Sequence, residues 1–410
     1  MSVRRPGTGR RVVWKFGGTS VDDWQKLRRM AARVVAALRK GTQVVAVLSA
    51  MGGTTDRLVR LAQQLSTEPE PRELDALLST GEAMSCALGA IAVRDLGERA
   101  VSLTGAQAGM LTDGVHGSAR LLRITPDRIE AELNAGAVVL VTGFQGVSES
   151  GDVTTLGRGG SDASAIALAA ALGLGECDIY TDVPGVFTAD PRVVPDARML
   201  AQVSHDEMLR LARAGARVLQ PRAVELAVEH GIDIHVRSSF TTEPGTWIRA
   251  MPAGAGHLRG IAHIARDPVY TLTHASPAEV SAALDRDGLT MTAASVVGPR
   301  LRFTADGSAA AVGAALAAAD LDPGIREDLG SVTLVGPASI DRPWIAGRLL
   351  DILAAGGMPA ELVSSAPGRI TGHLPTEAVT DAVRALHEAF APGAAADLAA
   401  ALPTGSTDAG

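Results

Sequence analysis

The chain has 410 residues, with 38 basic and 45 acidic side chains and a formal net charge of −7. At about 150 residues per domain this length predicts two or three domains, and a hydrophobic content of 46% is enough to build their cores. Aromatic residues make up only 3% of the chain. Because nucleic-acid binding needs a basic surface and stacking side chains, nucleic acid is not expected as a partner.

The cysteines and the apolar runs indicate the class of protein. Cys86 and Cys177 fit no disulfide or zinc spacing, so we expect two small buried apolar residues. The longest apolar runs, such as residues 163–174, are shorter than the roughly 20 residues of a membrane span, and the basic residues 1–11 precede no signal-peptide core. These observations predict a cytoplasmic protein without a membrane partner.

Short β-branched runs alternate with Ala- and Leu-rich stretches of helical period as far as about residue 238. The predicted strands are residues 12–16, 44–48, 138–142, 178–180 and 232–236. The predicted helices are residues 24–38, 74–96, 161–172 and 205–211, and Gly173 is suited to end the third of them. This alternation predicts an α/β sandwich with a mainly parallel sheet.

A different organisation follows the Pro- and Gly-rich residues 241–256, which we interpret as a linker. Two stretches of similar layout come next, and each reads β-α-β-β-α-β, the ferredoxin-like pattern. We place the first unit in residues 260–329 and the second in residues 330–395. The Ala-, Gly- and Thr-rich residues 396–410 read as a flexible tail.

The first predicted strand ends in Lys15-Phe16-Gly17-Gly18-Thr19-Ser20. Paired glycines after a strand let backbone N–H groups converge on an anion, and the lysine adds a full charge beside them. A Gly-Gly pair alone is more often only a tight turn. No GxxxxGK[ST] stretch occurs, so a nucleotide site here would not be of the P-loop type.

Two further segments carry candidate chemistry. Gly157-Arg158-Gly159-Gly160-Ser161-Asp162 opens a helix and offers backbone donors, an arginine that can grip a carboxylate, and a carboxylate that can orient a cation. The alternative is a capped helix after a flexible loop, and no acidic residue on a following strand completes a dinucleotide fingerprint. In residues 181–192, Pro-Gly and Asp-Pro pairs shape a loop whose ligand the spacing does not reveal.

Together these segments resemble the aspartate kinases of the amino-acid kinase superfamily. The same resemblance includes Ser49-Ala50-Met51-Gly52, Thr80-Gly81-Glu82 and Gly143-Phe144-Gln145-Gly146, and it covers residues 12–239 in order. It implies an amino-acid kinase catalytic domain over residues 1–247. For the two ferredoxin-like units it implies ACT domains.

The resemblance also implies roles for individual residues. Catalytic roles fall on Lys15, Asp162 and Arg217, the last of which stands where the family commonly has lysine. Aspartate binding is implied for Thr54, Glu82, Arg158, Gly159 and Ser161. ATP binding is implied for Lys15, Gly17, Gly18, Thr19, Ser49, Tyr180, Thr181, Val186, Phe187, Asp190 and Pro191. Mg²⁺ is implied as the cofactor of ATP, and no residue is assigned as its ligand.

The implied reaction moves the γ-phosphoryl group of ATP to the side-chain carboxylate of L-aspartate and forms 4-phospho-L-aspartate. A carboxyl group with a pKa of about 3.9 is already ionised at pH 7, so the acceptor needs no general base. The work left to the protein is positioning and charge neutralisation. Under this interpretation Asp162 holds Lys15 in place.

The ACT-like part departs from the family pattern. Residues 274–278, His-Ala-Ser-Pro-Ala, form a shortened loop without the usual glycine, and Trp344 stands where the family has glycine. We therefore expect weak or absent inhibition by lysine and threonine, with the ACT-like units forming a homodimer. A separately made regulatory subunit beginning near Met251 is left open. The alternative functions are a kinase for a related amino-acid carboxylate and a non-catalytic regulatory paralogue.

Overall fold

The computed structural model describes residues 9–251, 258–340, 343–390 and 392. The predicted tail and part of the predicted linker lie outside these residues. The described chain divides into two compact units. Unit 1 takes the described residues of Met1–Val186, Met199–Ala212 and Arg217–Met251, and unit 2 takes those of Phe187–Arg198, Arg213–Ala216 and Pro252–Gly410.

Unit 1 is an α/β sandwich, as the sequence predicts. Its helices are α1 (Trp24–Arg39), α2 (Thr54–Leu65), α3 (Pro71–Asp95), α4 (Asp127–Asn134), α5 (Gly160–Ala171), α6 (His205–Arg213) and α7 (Pro221–His230). Its strands are β1 (Arg11–Phe16), β2 (Gln43–Leu48), β3 (Ala100–Leu103), β4 (Met110–Thr112), β5 (Leu121–Ile124), β6 (Val138–Thr142), β7 (Gln145–Val147), β8 (Val153–Thr155), β9 (Glu176–Thr181), β10 (Gln202–Ser204), β11 (Asp233–Ser238) and β12 (Thr246–Arg249).

The main sheet has eight strands in the order β10-β12-β11-β9-β1-β2-β6-β3. Every neighbouring pair is parallel except β11 with β12. The predicted strands coincide with β1, β2, β6, β9 and β11, which are the central ones. They are buried on both faces, and this produces the continuous apolar runs by which the sequence identifies them.

The predicted helix boundaries follow from capping chemistry. The side chain of Asp23 accepts a hydrogen bond of 2.8 Å from the backbone N–H of Lys26 and so starts α1. Gly173 follows the last turn of α5 with a φ of 67°, a left-handed conformation that favours glycine and ends the helix there. This confirms the predicted end.

A second, four-stranded sheet of unit 1 has the order β5-β4-β7-β8 and was not predicted. Its strands have only three or four residues each. Such short runs carry too little of a two-residue period to be recognised in a sequence. This small sheet leads directly into the Gly157–Asp162 segment.

Unit 2 contains two antiparallel sheets with helices. Its helices are α8 (Pro277–Asp285), α9 (Ala309–Ala317), α10 (Pro343–Ala355) and α11 (Val379–Phe390). Its strands are β13 (Gly260–Ile264), β14 (Val269–Thr273), β15 (Met291–Val297), β16 (Arg300–Ala305), β17 (Gly324–Arg326), β18 (Leu329–Val335), β19 (Leu362–Ala366) and β20 (Arg369–Pro375). The strand orders are β15-β16-β14-β17 and β13-β18-β20-β19.

The strand pairing corrects the boundaries that the sequence suggests for the two ferredoxin-like units. The first unit is complete within residues 269–326, because β17 supplies its fourth strand. Strand β13, which the sequence assigns to the first unit, pairs with β18 at the edge of the second sheet. The first unit is thus inserted between two strands of the second. A linear pattern of elements does not reveal such an exchange, since pairing is decided in space.

A further correction concerns the segment Phe187–Arg198, which the sequence places in the catalytic domain. It belongs to unit 2 because its apolar residues are buried there. Ala189 and Val194 share a core with Ile261, Val332 and Leu386.

Helix α3 is long and apolar enough to span a membrane by length and composition, and it is the one such helix in the described residues. The core helix of a globular domain passes the same test. Asp75 and Glu82 of α3 are 1% and 3% exposed inside unit 1, where the helix packs against α1 and β3. Cys86 of α3 and Cys177 of β9 are free and buried, as expected.

Candidate active site

The carboxyl ends of the central parallel strands form the wall of a cavity of about 600 Å³ in unit 1. Strand β1 pairs with β2 on one side and with β9 on the other. The strands before and after β1 in the sheet therefore come from different parts of the chain, and the order of the strands reverses at β1. Open parallel sheets bind their ligands in the crevice at such a point. The cavity is lined by predicted site residues at these strand ends, on α3 and at the start of α5: Lys15, Gly18, Ser49, Glu82, Arg158, Gly159, Ser161 and Asp162.

Lys15 forms a close ion pair with Asp162. Its Nζ lies 2.6 Å from Oδ1 of Asp162, and the two side chains are 11% and 10% exposed. Lys15 is on β1 and Asp162 is in the first turn of α5, where a carboxylate also complements the helix dipole. The carboxylate therefore holds the ammonium group at the wall of the cavity, where an anionic ligand would meet it.

The glycines after β1 allow close approach of the backbone. A Cβ on Gly18 would lie 2.9 Å from the carbonyl oxygen of Ala50, and one on Gly17 would lie 3.4 Å from Nζ of Lys15. The Gly17 N–H is itself used, because it donates to the carbonyl oxygen of Tyr180 over 3.1 Å. The Lys15–Gly18 turn is thus packed tightly against the β2 loop, and no larger residue fits at Gly18.

Glu82 brings a buried carboxylate to the same cavity. Its Oε1 accepts a hydrogen bond of 3.0 Å from the backbone N–H of Ala50, whereas Oε2 has no partner among the described residues. Burial raises the pKa of Glu82 to about 7. A buried acceptor oxygen without a partner is costly unless a ligand supplies a donor. Glu82 is therefore suited to bind a cationic group of a ligand.

The start of α5 presents an arginine and backbone donors. Gly159 has a φ of 74°, and a Cβ on it would lie 2.4 Å from Cβ of Gln220. Arg158 is exposed at the cavity, and no described carboxylate pairs with its guanidinium group. A guanidinium group beside the first turn of a helix is a suitable site for a carboxylate.

The loop after β6 packs under this helix. Phe144 lines the cavity and has a φ of 69°, which is unusual for a residue other than glycine. Its N–H donates to Oγ of Ser164 over 3.1 Å, which helps to hold that conformation. A Cβ on Gly143 would lie 2.7 Å from Cβ of Ser161, so glycine is needed there as well.

Several predicted residues, Gly17 among them, do not line this cavity. Thr19 and Arg217 are exposed. The cavity is lined by Thr55 instead of its neighbour Thr54. The Tyr180 ring is buried and stacked on Phe16, with 4.9 Å between the ring centres.

The predicted nucleotide loop is shared between the two units. Thr181 and Val186 belong to unit 1, and the Val186 N–H donates to Oγ1 of Thr246 over 2.8 Å. Phe187, Asp190 and Pro191 belong to unit 2. Their predicted contacts with ATP remain predictions.

Sequence reasoning assigned no site role to other lining residues, although Gly52 belongs to the Ser49–Gly52 motif: Gly52, Thr55, Asp56, Gly117 and Gln220. The sequence did contain a signal for the first three, since Met51-Gly52-Gly53 precedes the first turn of α2. For Gly117 and Gln220 no local signal exists, because they reach the cavity only through tertiary packing.

The described residues contain no group of three or more His, Cys, Asp or Glu side chains arranged to hold a metal ion. Mg²⁺ is usually bound by one or two carboxylates together with the phosphates of a nucleotide, so a protein cage is not required. Asp162 is the carboxylate nearest to the Lys15 ammonium group in this cavity. The residues present therefore fit a magnesium ion that arrives with its nucleotide.

Comparison with known proteins identifies the class. A model of the amino acid kinase family matches residues 10–238, which is more than half of the chain. An aspartokinase of Geobacillus stearothermophilus is 44% identical over 401 residues, covering 92% of this chain and 97% of the relative. One of Mycobacterium tuberculosis is 42% identical over 411 residues, covering 93% and 96%.

Solved structures agree with these relatives. E. coli aspartokinase III in complex with aspartate and ADP superposes with a TM-score of 0.80 at 25% identity, covering 92% of this chain and 99% of that one. An aspartate kinase from Synechocystis gives a TM-score of 0.55 at 34% identity, covering 93% of this chain and 69% of that chain. The chain belongs to the amino acid kinase family, and within that family to the aspartokinases.

Proposed function

We propose that this chain transfers the γ-phosphoryl group of ATP to the side-chain carboxylate of L-aspartate. A carboxylate oxygen attacks the γ-phosphorus, the bond to the β–γ bridging oxygen breaks, and 4-phospho-L-aspartate and ADP leave. No proton has to be removed from the acceptor, because it is ionised at neutral pH. The observation that carries this proposal is that one cavity contains the Lys15–Asp162 pair and Glu82 with its unpartnered oxygen.

The substrate is held by two complementary charges. Oε2 of Glu82 accepts the α-ammonium group, and the guanidinium group of Arg158 binds the α-carboxylate, with the N–H groups at Gly159 and Ser161 beside it. The side-chain carboxylate is then left to face Lys15. Because both the ammonium and the α-carboxylate are recognised, a plain dicarboxylate that lacks the amino group binds poorly.

Lys15 and the backbone N–H of Gly18 stabilise the transferring phosphoryl group, and Ser49 lies beside them. The Gly17 N–H is engaged with Tyr180, so Gly17 contributes only the tight turn. When bound, Mg²⁺ neutralises charge on the phosphate oxygens. Asp162 acts on Lys15, since its oxygen is 2.6 Å from the ammonium nitrogen. Repulsion between two anionic reactants is the main barrier to their alignment, and a fixed ammonium group lowers it.

A hydroxylamine trap for acyl phosphate tests the proposal. With aspartate, ATP and Mg²⁺, the protein should form aspartyl hydroxamate in step with ADP release. A panel containing glutamate, N-acetylaspartate and succinate should give little product. Product from a different carboxylate would favour a related carboxylate kinase, and no product from any of them would favour a non-catalytic regulatory role.

We propose further that lysine and threonine inhibit weakly or not at all. In the loop between β14 and α8, His274 adopts a φ of 65°, the left-handed conformation in which glycine would leave room for a ligand. Ser276 caps α8 through Glu279, with the Glu279 N–H 3.2 Å from Oγ of Ser276. The polar groups of Ser276 and Glu279 are therefore engaged with each other at the start of α8.

The assembly and compartment are also proposals. Strands β15 and β17 are the edges of their sheet, and they expose Val296, Val297 and Ile325. Unpaired edges with apolar side chains favour association with a second copy through the ferredoxin-like units. Size-exclusion chromatography with light scattering tests this, and also whether a separate regulatory chain starting near Met251 co-purifies. Two free buried cysteines fit the reducing cytoplasm.

A further inference from the structure

Asp75 is a buried carboxylate outside the predicted site. It lies on α3, is 1% exposed, and is surrounded by hydrogen-bond donors. The Gly117 N–H donates to both of its oxygens over 3.1 and 3.0 Å, and the Thr155 N–H donates to Oδ2 over 3.0 Å. The Thr155 hydroxyl and Nδ1 of His116, at 2.9 Å from Oδ2, complete the set.

These donors come from two segments that meet at the cavity. Gly117 and Gly157 both line it. A Cβ on Gly157 would lie 3.2 Å from the carbonyl oxygen of Gly117, so the two backbones are in contact. Thr155 ends β8, and the chain passes from it through Gly157 directly to Arg158. By binding Gly117 and Thr155 together, Asp75 fixes the base of the loop that carries Arg158.

The same helix presents Glu82 to the cavity. Residues seven apart lie about two turns from each other on one face of a helix, so Asp75 and Glu82 share the face of α3 that is turned inward. Glu82 is a residue of α3 itself, whereas the loop that carries Arg158 is connected to α3 by the hydrogen bonds of Asp75. The spacing between the two groups that recognise the amino acid depends on this connection.

We propose that Asp75 is a positioning residue that sets the distance between Arg158 and Glu82 and thereby the affinity for the amino-acid substrate. This inference rests on the proposed roles of those two residues. Asp75 does not touch the substrate, and ATP binding at Lys15 does not depend on it. Its loss therefore affects one substrate and leaves the other unchanged.

The test is steady-state kinetics of Asp75→Asn with both substrates. The amide preserves the shape but turns one acceptor oxygen into a donor that faces N–H groups. We expect KM for aspartate to rise about tenfold or more, equivalent to at least about 1.4 kcal/mol, while KM for ATP changes less than about twofold. Asp113→Asn is the matched control. Asp113 lies in the β4–β5 connection that also contains Gly117, and it accepts a hydrogen bond from the Arg120 N–H over 3.0 Å, but it does not line the cavity.

A milder variant covers the case in which Asp75→Asn fails to fold. Thr155→Val removes only the hydroxyl that donates to Asp75, and we expect a smaller rise in KM for aspartate alone. Its control is Thr154→Val, since the Thr154 hydroxyl pairs instead with that of Thr112 over 2.6 Å. Where both variants fold, the double variant Asp75→Asn/Thr155→Val should raise KM by less than the product of the two separate effects.

Unchanged KM for aspartate in the folded variants, or an equal rise in KM for both substrates, would overturn the proposal. A drop in kcat that only follows a loss of folded protein, measured by thermal unfolding, would also overturn it. Failure of the proposed function looks different, because the unsubstituted protein would then form no aspartyl hydroxamate at all.

Discussion

Nζ of Lys15 and Oδ1 of Asp162 lie 2.6 Å apart and join the end of the central strand to the first turn of α5. The contact is an ion pair without the directional geometry of a hydrogen bond. Lysine side chains have many rotamers, so a fixed carboxylate lowers the entropy lost when the ammonium group meets a phosphate. The relationship assigns Asp162 to holding a charge, not to moving a proton.

Substituting Asp162 tests this assignment. Asp162→Asn should lower kcat by about 10²-fold, because the ammonium group is no longer held where charge develops. The kcat of the unsubstituted protein should be level between about pH 6 and 9, since no base with a titrating pKa is needed. Asp178→Asn is the control. The Asp178 carboxylate lies on β9 and pairs with His235 of β11, with 3.2 Å between Oδ1 and Nδ1. An acidic limb in kcat that disappears in Asp162→Asn would show that Asp162 is a base.

The raised pKa of Glu82 predicts a pH dependence of substrate capture. Its carboxylate form accepts the ammonium group, and that form is lost as the pH falls through about 7. We expect kcat/KM for aspartate to fall about tenfold per pH unit below that value, while kcat/KM for ATP at saturating aspartate does not. Glu82→Gln should have a lower and nearly level profile.

The exposed Glu73 in the first turn of the same helix supplies the control for Glu82. Glu73→Gln should retain the limb in kcat/KM. If Glu82→Gln retained it too, the limb would belong to another group and the proposed ammonium site would be wrong.

Gly159 should tolerate no side chain. Gly159→Ala places a Cβ 2.4 Å from that of Gln220 at a φ of 74°, and we expect the substitution to misplace the adjacent Arg158 and to raise KM for aspartate about tenfold or more. Gly173→Ala isolates the conformational part of the cost, because Gly173 also has a positive φ of 67° but a Cβ added there would meet no described atom within 4 Å. That variant should lose about 1 kcal/mol of unfolding free energy and keep full activity. Equal effects of the two substitutions on KM would count against the packing argument.

The conformation of the loop after β14 predicts weak inhibition by lysine and threonine. With about 10 mM each of lysine and threonine, on the order of 10⁴ times a micromolar dissociation constant, more than half of the hydroxamate activity should remain. Added ADP is the positive control, because a product must inhibit in the same assay. Abolished activity with lysine plus threonine would show that His274 and its neighbours still form an effector site.

The sequence by itself determined much of unit 1. A strand buried on both faces appears in the sequence as a continuous apolar run, and this predicted β1, β2, β6, β9 and β11. The strands of the small sheet have only three or four residues each, which is too short for such a run. The glycines next to Lys15 and Arg158 were recognised because glycine clusters after a strand or before a helix form a local sequence pattern. The atoms that exclude a side chain there, in Ala50 and Gln220, come from distant parts of the chain.

Tertiary structure decided what depends on groups distant in the chain. The burial of Glu82, and with it the pKa of about 7, exists only because α3 packs against the β2 loop. In the sequence alone Asp75 is an ordinary helix carboxylate, and only the fold places the donors of Gly117 and Thr155 beside it. The pairing of β13 with β18 of the second ferredoxin-like sheet also depends on tertiary contacts. Local propensity specifies elements and tight turns, whereas pairing, burial and the charges inside a cavity arise from contacts that a linear pattern does not encode.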